Sequence, residues 1–431
     1  MKSLSFFRLL AITAFSFALT LVSNTLEPAV LGHKVLELVP DRRNTALGFA
    51  TFAGLIVAIL AQPIVGVFSD RTRSRLGRRL PYLIAGTLMV IACLYLIALA
   101  PAFGLVVLGI MLIQVASNTV QGPWQALIPD LVPEAQRGRA SGLKAMLDIL
   151  AFVVGRQVAG QLVGRYPQWG ETAILIAVTV PVVVYLIGLA VTAVWARESS
   201  PEAAAQAPQR SVREAIASTF SVDFRAHPAF GWWFANRILF WAAFIALSTF
   251  LLFFMIDVEG MAEAEAQKYV GTLSTLLGAA LVIVTLPSGW LADRVGRKPV
   301  VITSGVVAAL GAGIILIARQ VNLLTVGGVI VGLGVGLFMS ANWALVTDIV
   351  PRQEAARYLG IANIATAGGS AVARFLGGAL IDPLNRLTGS TSTGYFTVYA
   401  IAAGFFLLSA LVVIPLPSAS GTKKPMDTPA G

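Results

Sequence analysis

Two segments of similar sequence organise the chain. Residues 289–298 read GWLADRVGRK, and residues 66–81 read GVFSDRTRSRLGRRLP. Each places a Gly four residues before an Asp and follows the Asp with basic residues and a second Gly. The two copies are separated by about half of the 431 residues. This arrangement indicates an internal duplication.

The composition is that of a membrane protein. Of the residues, 57% are hydrophobic and 12% are charged, and ordinary soluble domains carry about 25% charged residues. This excludes a water-soluble globule. Apolar stretches of roughly 20 residues, the length that crosses a bilayer, recur throughout. We predict twelve spans, with these limits: 7–31, 44–68, 81–99, 102–128, 139–164, 172–195, 230–256, 267–291, 299–318, 322–347, 355–381 and 394–416.

A second set of repeated positions supports the duplication. Asp130, Pro133, Arg139, Gly142 and Arg156 recur, at one common offset, as Asp348, Pro351, Arg357, Gly360 and Arg374. Two copies of six spans in one orientation predict an all-α integral membrane fold of two pseudo-symmetric bundles, with a binding site between them near mid-depth. The predicted parts are bundles at 1–195 and 230–416, a cytoplasmic linker at 196–229 and a cytoplasmic tail at 417–431.

The net charge of +10 is distributed as membrane topology requires. Lys and Arg concentrate in the tails and in the loops on one side of the spans, so the positive-inside rule predicts that both termini are cytoplasmic in a bacterial inner membrane. The basic loops are expected to contact anionic lipid rather than nucleic acid. We expect the first span to be retained rather than cleaved as a signal peptide.

The sequence offers no basis for an enzyme. One Cys and two His argue against disulfides and against a metal centre. Neither a nucleophile with a base nor a phosphate-binding loop is recognisable. We expect no cofactor, and we expect a monomer.

The repeated loops resemble those of a known family. GWLADRVGRK resembles the signature loop between helices 8 and 9 of the major facilitator superfamily. The longer first copy resembles sucrose transporters and the glycoside, pentoside and hexuronide cation symporters. This resemblance, which spans both repeats, implies alternating access and a cytoplasmic latch at these loops; the alternative is that the loops only anchor the topology. The predicted gating residues are Gly66, Asp70, Arg71, Arg78, Gly289, Asp293, Arg294 and Arg297.

Two departures from the sequence patterns of related transporters disfavour particular functions. Span 4 has Asn118 before Gln121 and Gly122, where proton antiporters often carry Arg, and span 5 lacks their Gly-Pro pair. Drug export by antiport is therefore disfavoured. Span 2 has no acid between Asn44 and Ser69, unlike the sodium site of melibiose-type symporters. Sodium coupling is disfavoured for that reason.

Charged residues within spans are costly and are therefore functional candidates. They are Glu27, Lys144, Asp148, Arg156, Arg237 and Arg374. A proton-coupled carrier needs a carboxyl group whose protonation changes between access states. Glu27 and Asp148 are the predicted proton-coupling residues. The alternative for Asp148 is a structural ion pair with Lys144 or Arg156.

Uncharged polar residues follow helical spacing on spans 1, 4, 7 and 11, which line the cavity in this fold. Amide, hydroxyl and Arg donors beside an indole suit a polyhydroxylated ligand; the alternative is that single polar groups only join helices. The members of the four stripes to which we assign no substrate-binding or proton-coupling role are Ser16, Thr20, Ser23, Gln125, Ser248 and Thr366. Trp124 and Trp343 are predicted to anchor at the membrane interface. The predicted substrate-binding residues are Gln114, Asn118, Gln121, Arg156, Arg237, Trp241, Asn363, Ser370 and Arg374.

These observations lead to one principal hypothesis and several alternatives. The principal hypothesis is proton-coupled symport of a small polar solute, a sugar or glycoside. One alternative is an organic anion, such as a hexuronide, clamped by Arg156, Arg237 and Arg374. The others are a drug exporter and a non-transporting membrane sensor with the same fold.

Overall fold

The computed structural model describes residues 4–72, 74, 76–195, 224, 227–318, 320–349 and 355–416. Within these ranges, twelve helices are long and apolar enough to cross a membrane. The predicted all-α membrane fold with twelve spans is thereby confirmed. We number the spanning helices α1 to α12 in chain order.

The first half contains α1 to α6. Helix α1 is built of segments Phe6–Thr13, Phe15–Thr25, a π-helical turn at Leu26–Val30, and Leu31–Leu38. The other five helices are α2 Arg43–Arg71, α3 Leu80–Ala98, α4 Phe103–Leu131, α5 Glu134–Val163 and α6 Glu171–Trp195.

The second half contains α7 to α12. Helix α7 spans Pro228–Thr249 and is continued by a short helix at Leu251–Asp257. The other five helices are α8 Glu263–Val295, α9 Arg297–Ile317, α10 Val321–Ile349, α11 Ala355–Thr388 and α12 Thr393–Val412.

The repeated loops turn at glycine. Gly77 and Gly296 have φ of 92° and 93°, a conformation that side chains with a Cβ disfavour. Each glycine lies near the end of its basic loop, shortly before the next helix begins. The sequence repeat at these positions therefore reflects a shared backbone requirement.

Helices α3, α6, α9 and α12 pack chiefly within their own half, whereas two pairs, α2 with α11 and α5 with α8, join the halves. We call the end of the bundle that carries the start of α1 the proximal end, and the end where α1 finishes the distal end. The joining residues lie in the distal parts of their helices.

The α2–α11 seam depends on glycine. A Cβ placed on Gly48 would lie 2.7 Å from the Cα of Gly378 and 2.7 Å from the carbonyl oxygen of Arg374. On the α5–α8 seam, a Cβ on Gly160 would collide with the carbonyl oxygen of Gln267. Small residues allow this backbone approach in membranes. The two seams close the distal end.

Candidate functional site

An ion pair joins the two halves within the spanning region. Arg374 of α11 donates through Nη2 to both carboxylate oxygens of Glu27 of α1, at 2.9 Å each. Glu27 lies in the π-helical turn, a feature frequently found at functional sites. Its side chain is 40% exposed although it lies within a span, whereas that of Arg374 is 10% exposed. The Glu27 side chain therefore has exposed surface within the span.

The repeat partner of Arg374 approaches the same carboxylate. Arg156 of α5 donates through Nε to Oδ1 of Asn24, one turn before Glu27, at 3.4 Å. It also interacts electrostatically with Glu27, and its guanidinium lies 4.9 Å from the Phe152 ring centroid. Two arginines related by the duplication thus converge on one acid.

Two buried donors have no hydrogen-bond partner among the described residues. They are Nε of Arg374, a member of the ion pair, and Nε1 of Trp241 on the adjacent helix α7. Trp241 of α7 packs on α11, where a Cβ on Gly369 would lie 3.0 Å from the Trp241 Cβ. Unpaired buried donors are costly, so a ligand with acceptor oxygens would be stabilised here.

Asp148 has different partners. It forms an ion pair with Lys144 one turn away on α5, at 2.7 Å, and accepts a hydrogen bond from Thr20 of α1 at 3.1 Å. Both charged side chains are about 30% exposed. Of the alternatives considered from the sequence, the ion pair of Asp148 with Lys144 is the arrangement observed.

Arg237 is held by neutral groups within the second half. It is 4% exposed and donates to Oδ1 of Asn342 at 2.7 Å and to Oγ1 of Thr366 at 3.0 Å. Its guanidinium lies 4.6 Å from the Trp343 ring and 5.5 Å from the Trp233 ring. Among the described side chains, no carboxylate lies within ion-pair distance of it.

The predicted stripe on α4 does not join this cluster. Asn118 is buried and donates to the carbonyl of Gln114 on its own helix. Gln114 itself lies against α2, near Gly54, and Gln121 is exposed. On α11, Ser370 likewise donates to its own helix, at the Thr366 carbonyl. The side chain of Asn363 lies outside the described residues.

Two predictions about other polar or aromatic residues need correction. Ser248 lines an apolar cavity within the second half, together with Leu273 and Tyr399. Trp124 is 1% exposed and donates to the carbonyl of Ile12 at 3.1 Å, so its prediction as an interfacial anchor is wrong. Trp343 is half-buried and packs on the Arg237 guanidinium, and its role as an interfacial anchor stays a prediction.

The basic loops at the proximal end form contacts within each half. Arg78 and Arg79 both donate to Asp130 at the end of α4, at 3.2 and 3.3 Å. Arg297 donates to the Ala344 carbonyl at 2.6 Å, and the Arg294 guanidinium stacks 3.8 Å from the Trp290 ring centroid.

The remaining predicted gating residues differ in what can be described. Asp293 is exposed, whereas Gly66 and Gly289 are half-buried positions on their helices. The side chains of Asp70 and Arg71 lie outside the described residues. The gating role of all eight loop residues stays a prediction.

The distal end carries a second set of polar contacts between the halves. Arg43 pairs with Asp257, and Asn44 donates to Oδ1 of Asp382 at 2.8 Å. Nδ1 of His33 lies 2.7 Å from Oε1 of Glu263.

Tyr166 stacks on His33, with ring centroids 4.2 Å apart. Burial raises the pKa of Tyr166 above its ordinary value, and the nearby carboxylates of Glu171, Glu37 and Glu263 raise it further. The distal end is therefore rich in negative charge as well as in interhelical contacts.

Several site residues were missed by the sequence reasoning. Asn24 precedes Glu27 by three residues, so helical spacing could have placed it on the same face. Gln157 and Thr275 join α5 to α8 across the halves at 3.3 Å, and no local pattern marks that pair. Pro28 after Glu27 was noticed, but not its consequence: lacking an N–H, it interrupts the regular ladder where the π-helical turn forms.

Comparison with known proteins identifies the family. The MFS/sugar transport protein family matches residues 39–414, so the chain belongs to it. That family consists of membrane transporters rather than enzymes, and the twelve membrane-length helices make this chain a multi-pass membrane protein, as the sequence predicted. The resemblance to the sucrose transporter branch is confirmed.

The curated relatives match over short segments. A minor myo-inositol transporter of Bacillus subtilis, IolF, is 36% identical over 109 residues, 25% of each chain. Sucrose transport protein SUC3 of Arabidopsis thaliana is 26% identical over 143 residues, covering 28% of this chain and 24% of SUC3. The chain thus matches about a quarter of these relatives' lengths.

Solved structures share the fold. A point mutant of the nucleoside transporter NupG aligns with a TM-score of 0.73 and 16% identity, covering 95% of this chain and 99% of NupG. A bacterial homologue of the lysosomal transporter Spinster, in an inward-facing and occupied conformation, aligns with a TM-score of 0.71 and 16% identity, covering 95% of this chain and 96% of the homologue. At this identity the likeness establishes the fold.

Proposed function

We propose that this protein is a proton-coupled symporter that moves a neutral polyhydroxylated solute, a sugar or glycoside, by alternating access in a bacterial inner membrane. The observation that carries the proposal is the ion pair between Glu27 and Arg374. Its two members belong to opposite halves, so a rocking motion of the halves changes their separation.

The ion pair can link protonation to access. In this structure Arg374 contacts the Glu27 carboxylate, and a movement of the second half away from the first would remove that cationic partner. A proton is then taken up in one access state and released in the other, which is the requirement for coupling.

The choice of solute rests on the donors around the pair. Nε of Arg374 and Nε1 of Trp241 need acceptors, and the Trp241 ring offers an apolar face. Sugar hydroxyls and C–H faces match this combination. The family and the sucrose and myo-inositol transporters among the relatives support the same class of solute.

The orientation rests on the basic loops. Because Arg78, Arg79, Arg294 and Arg297 lie at the proximal end, the positive-inside rule assigns that end and both termini to the cytoplasm. The distal end then faces outward. In this assignment the structure is inward-facing, with the outer end closed by the two seams.

Transport by purified protein in proteoliposomes tests the coupling. Under an inward proton gradient, the wild type should accumulate labelled sucrose or myo-inositol. Glu27→Gln, which cannot ionise, should retain exchange of solute between the two sides but lose accumulation. Asp148→Asn is the matched control, because that acid pairs within its own helix, and it should retain accumulation.

Two results would contradict this assignment. Proton-driven accumulation by Glu27→Gln would remove Glu27 from coupling, and loss of accumulation in Asp148→Asn alone would transfer the role to Asp148. Solute binding without flux in the wild type would favour the non-transporting sensor.

A second candidate function is transport of an organic anion. It is favoured by Arg237, whose buried charge has neutral partners only among the described residues. A carboxylate would balance that charge.

Thermal-shift measurements separate the two solute classes. Stabilisation by glucuronate but not by glucose, lost in Arg237→Gln and kept in Arg237→Lys, would support the anion. Stabilisation by neutral sugars with unchanged affinity in Arg237→Gln would exclude it.

A further inference from the structure

The first turn of α2 is capped by the other half of the molecule. Helix α2 has no side-chain cap of its own. Instead, Oδ2 of Asp382 on α11 accepts from the backbone N–H of Thr45 at 2.7 Å, and Oδ1 accepts from Nδ2 of Asn44 at 2.8 Å. A carboxylate at a helix N-terminus is stabilising. This cap exists only while α2 and α11 are together.

The two acids at this end differ in how their charge is balanced. Asp257 forms an ion pair with Arg43 and accepts from Tyr395 at 2.5 Å. Asp382, which is 8% exposed, has no cation within ion-pair distance among the described residues. Asp382 therefore accepts only from neutral donors among the described residues, whereas Asp257 also has a cationic partner.

The other charged or titratable groups near Asp382 have separate roles. Arg386, one turn further on α11, donates to the backbone carbonyl of Asp41 at 2.9 Å. Asp41 lies on the loop before α2. On α12, Tyr395 accepts from Asn44 and Tyr399 donates to the Leu247 carbonyl. None of these supplies a cation to Asp382.

Water reaches Asp382 from the distal side. A cavity of about 280 Å³ is lined by both acids and by Asp41, Arg43 and Ser390. Protons from outside therefore have a path to the carboxylate while the seam is closed.

One face of α11 carries three successive contacts with the first half. Arg374, Gly378 and Asp382 follow at intervals of four residues and meet Glu27, Gly48 and the start of α2 respectively. Releasing Asp382 frees the outermost of these three contacts; one turn further out, Arg386 donates to the Asp41 carbonyl.

We propose that Asp382 is an outer proton-binding carboxylate whose neutralisation uncaps α2 and opens the outer seam. The proposal rests on the orientation and the proton coupling proposed above. It adds to Glu27 a second proton-binding group, which acts on the α2–α11 seam rather than on the solute site.

Spin-label distances in lipid nanodiscs test the proposal. Cys93, the single cysteine, is replaced by Ser, and labels are attached at Arg42→Cys and Thr388→Cys, both exposed positions at the distal end. At pH 8 the parent should show one short distance, and a longer distance should appear as pH falls to 4.5. Asp382→Asn should raise the ratio of long to short distances at pH 8 by about tenfold and remove its pH dependence.

Two further variants make the result specific. Asp41→Asn removes an exposed acid from the same cavity and should keep the parent's response. Asn44→Ala removes one donor but keeps the carboxylate, so it should raise the ratio at pH 8 while retaining pH dependence. Parent-like distances and pH response in Asp382→Asn, or parent-like distances in Asn44→Ala, would overturn the proposal. Loss of coupling in Glu27→Gln is a separate readout, so either proposal can fail alone.

Discussion

Glu27 and Arg374 are 347 residues apart in sequence, and both oxygens of the acid accept from one nitrogen of the arginine at 2.9 Å. The contact joins the first spanning helix to the eleventh. Its two members differ in exposure, since the Glu27 side chain is partly exposed while that of Arg374 is largely enclosed. This difference makes the arginine the more costly group to leave unpaired.

A double-mutant cycle on this pair should show strong coupling. Arg374→Gln should lower the Tm because it leaves the Glu27 carboxylate without its cationic partner. Adding Glu27→Gln should recover part of that loss. We expect a coupling energy of about 1 kcal/mol, reduced by the exposure of Glu27. Thermal denaturation of the four proteins measures it, and additive Tm changes would contradict the pairing.

Two of the three indoles of α7, those of Trp241 and Trp233, should respond oppositely to loss of their N–H. Trp241→Phe removes a donor that has no partner, so stability should be kept while the Kd for the sugar rises by two- to tenfold, about 0.5–1.5 kcal/mol. Trp233→Phe is the control, because its N–H donates to the Asn342 carbonyl at 3.0 Å; it should cost about 1–3 kcal/mol of stability. Binding and melting curves measure both, and an unchanged Kd in Trp241→Phe would exclude this contact.

Widening the α2–α11 seam should open the distal end. Gly48→Val forces a side chain against Gly378 and should disfavour the closed state by about 1–3 kcal/mol. The spin-label pair at positions 42 and 388 should then report a longer distance at pH 8. Gly404→Val on α12, where a Cβ meets no atom within 4 Å, is the control, and equal distance changes in both variants would refute the steric argument.

The stability of the proximal end should depend more on Asp130 than on Asp293, the exposed acid of the second basic loop. Asp130→Asn weakens contacts to Arg78 and Arg79 and should lower the Tm by a few degrees, about 1 kcal/mol. Asp293→Asn should change stability by less than about 0.5 kcal/mol. Thermal denaturation of the two variants decides this, and equal losses would show that Asp293 has a partner of similar importance.

The spans and the duplication could be predicted because both depend on the local composition of the sequence. Charge in apolar segments also marked Glu27, Arg156 and Arg374, which the fold brings together. Their mutual contacts could not be derived, since helical periodicity defines a face of one helix but not which distant helix meets it. Asp382 shows the same limit: it directly follows the predicted span 355–381, and no local pattern marks it as the cap of a helix of the opposite half.

The α4 stripe shows what periodicity does not distinguish, and its role in substrate binding stays a prediction. Asn118 satisfies its amide on its own helix, an option open to any short polar side chain in a span. Periodicity alone does not distinguish such self-satisfied groups from those facing a vestibule. Trp124 was misassigned for a related reason, because its indole found a backbone carbonyl in α1 rather than lipid headgroups.

The irregular turn at Leu26–Val30 divides the contacts of the first helix. Below it, Phe15–Thr25 packs on α5 and α6. Within it, the carbonyl of Ala29 accepts from Gln267, and on its distal side His33 contacts Glu263. Helix α1 thus contacts both halves, so any separation of the halves at the distal end would either break the contacts of its distal segment or bend the helix at the turn that carries Glu27.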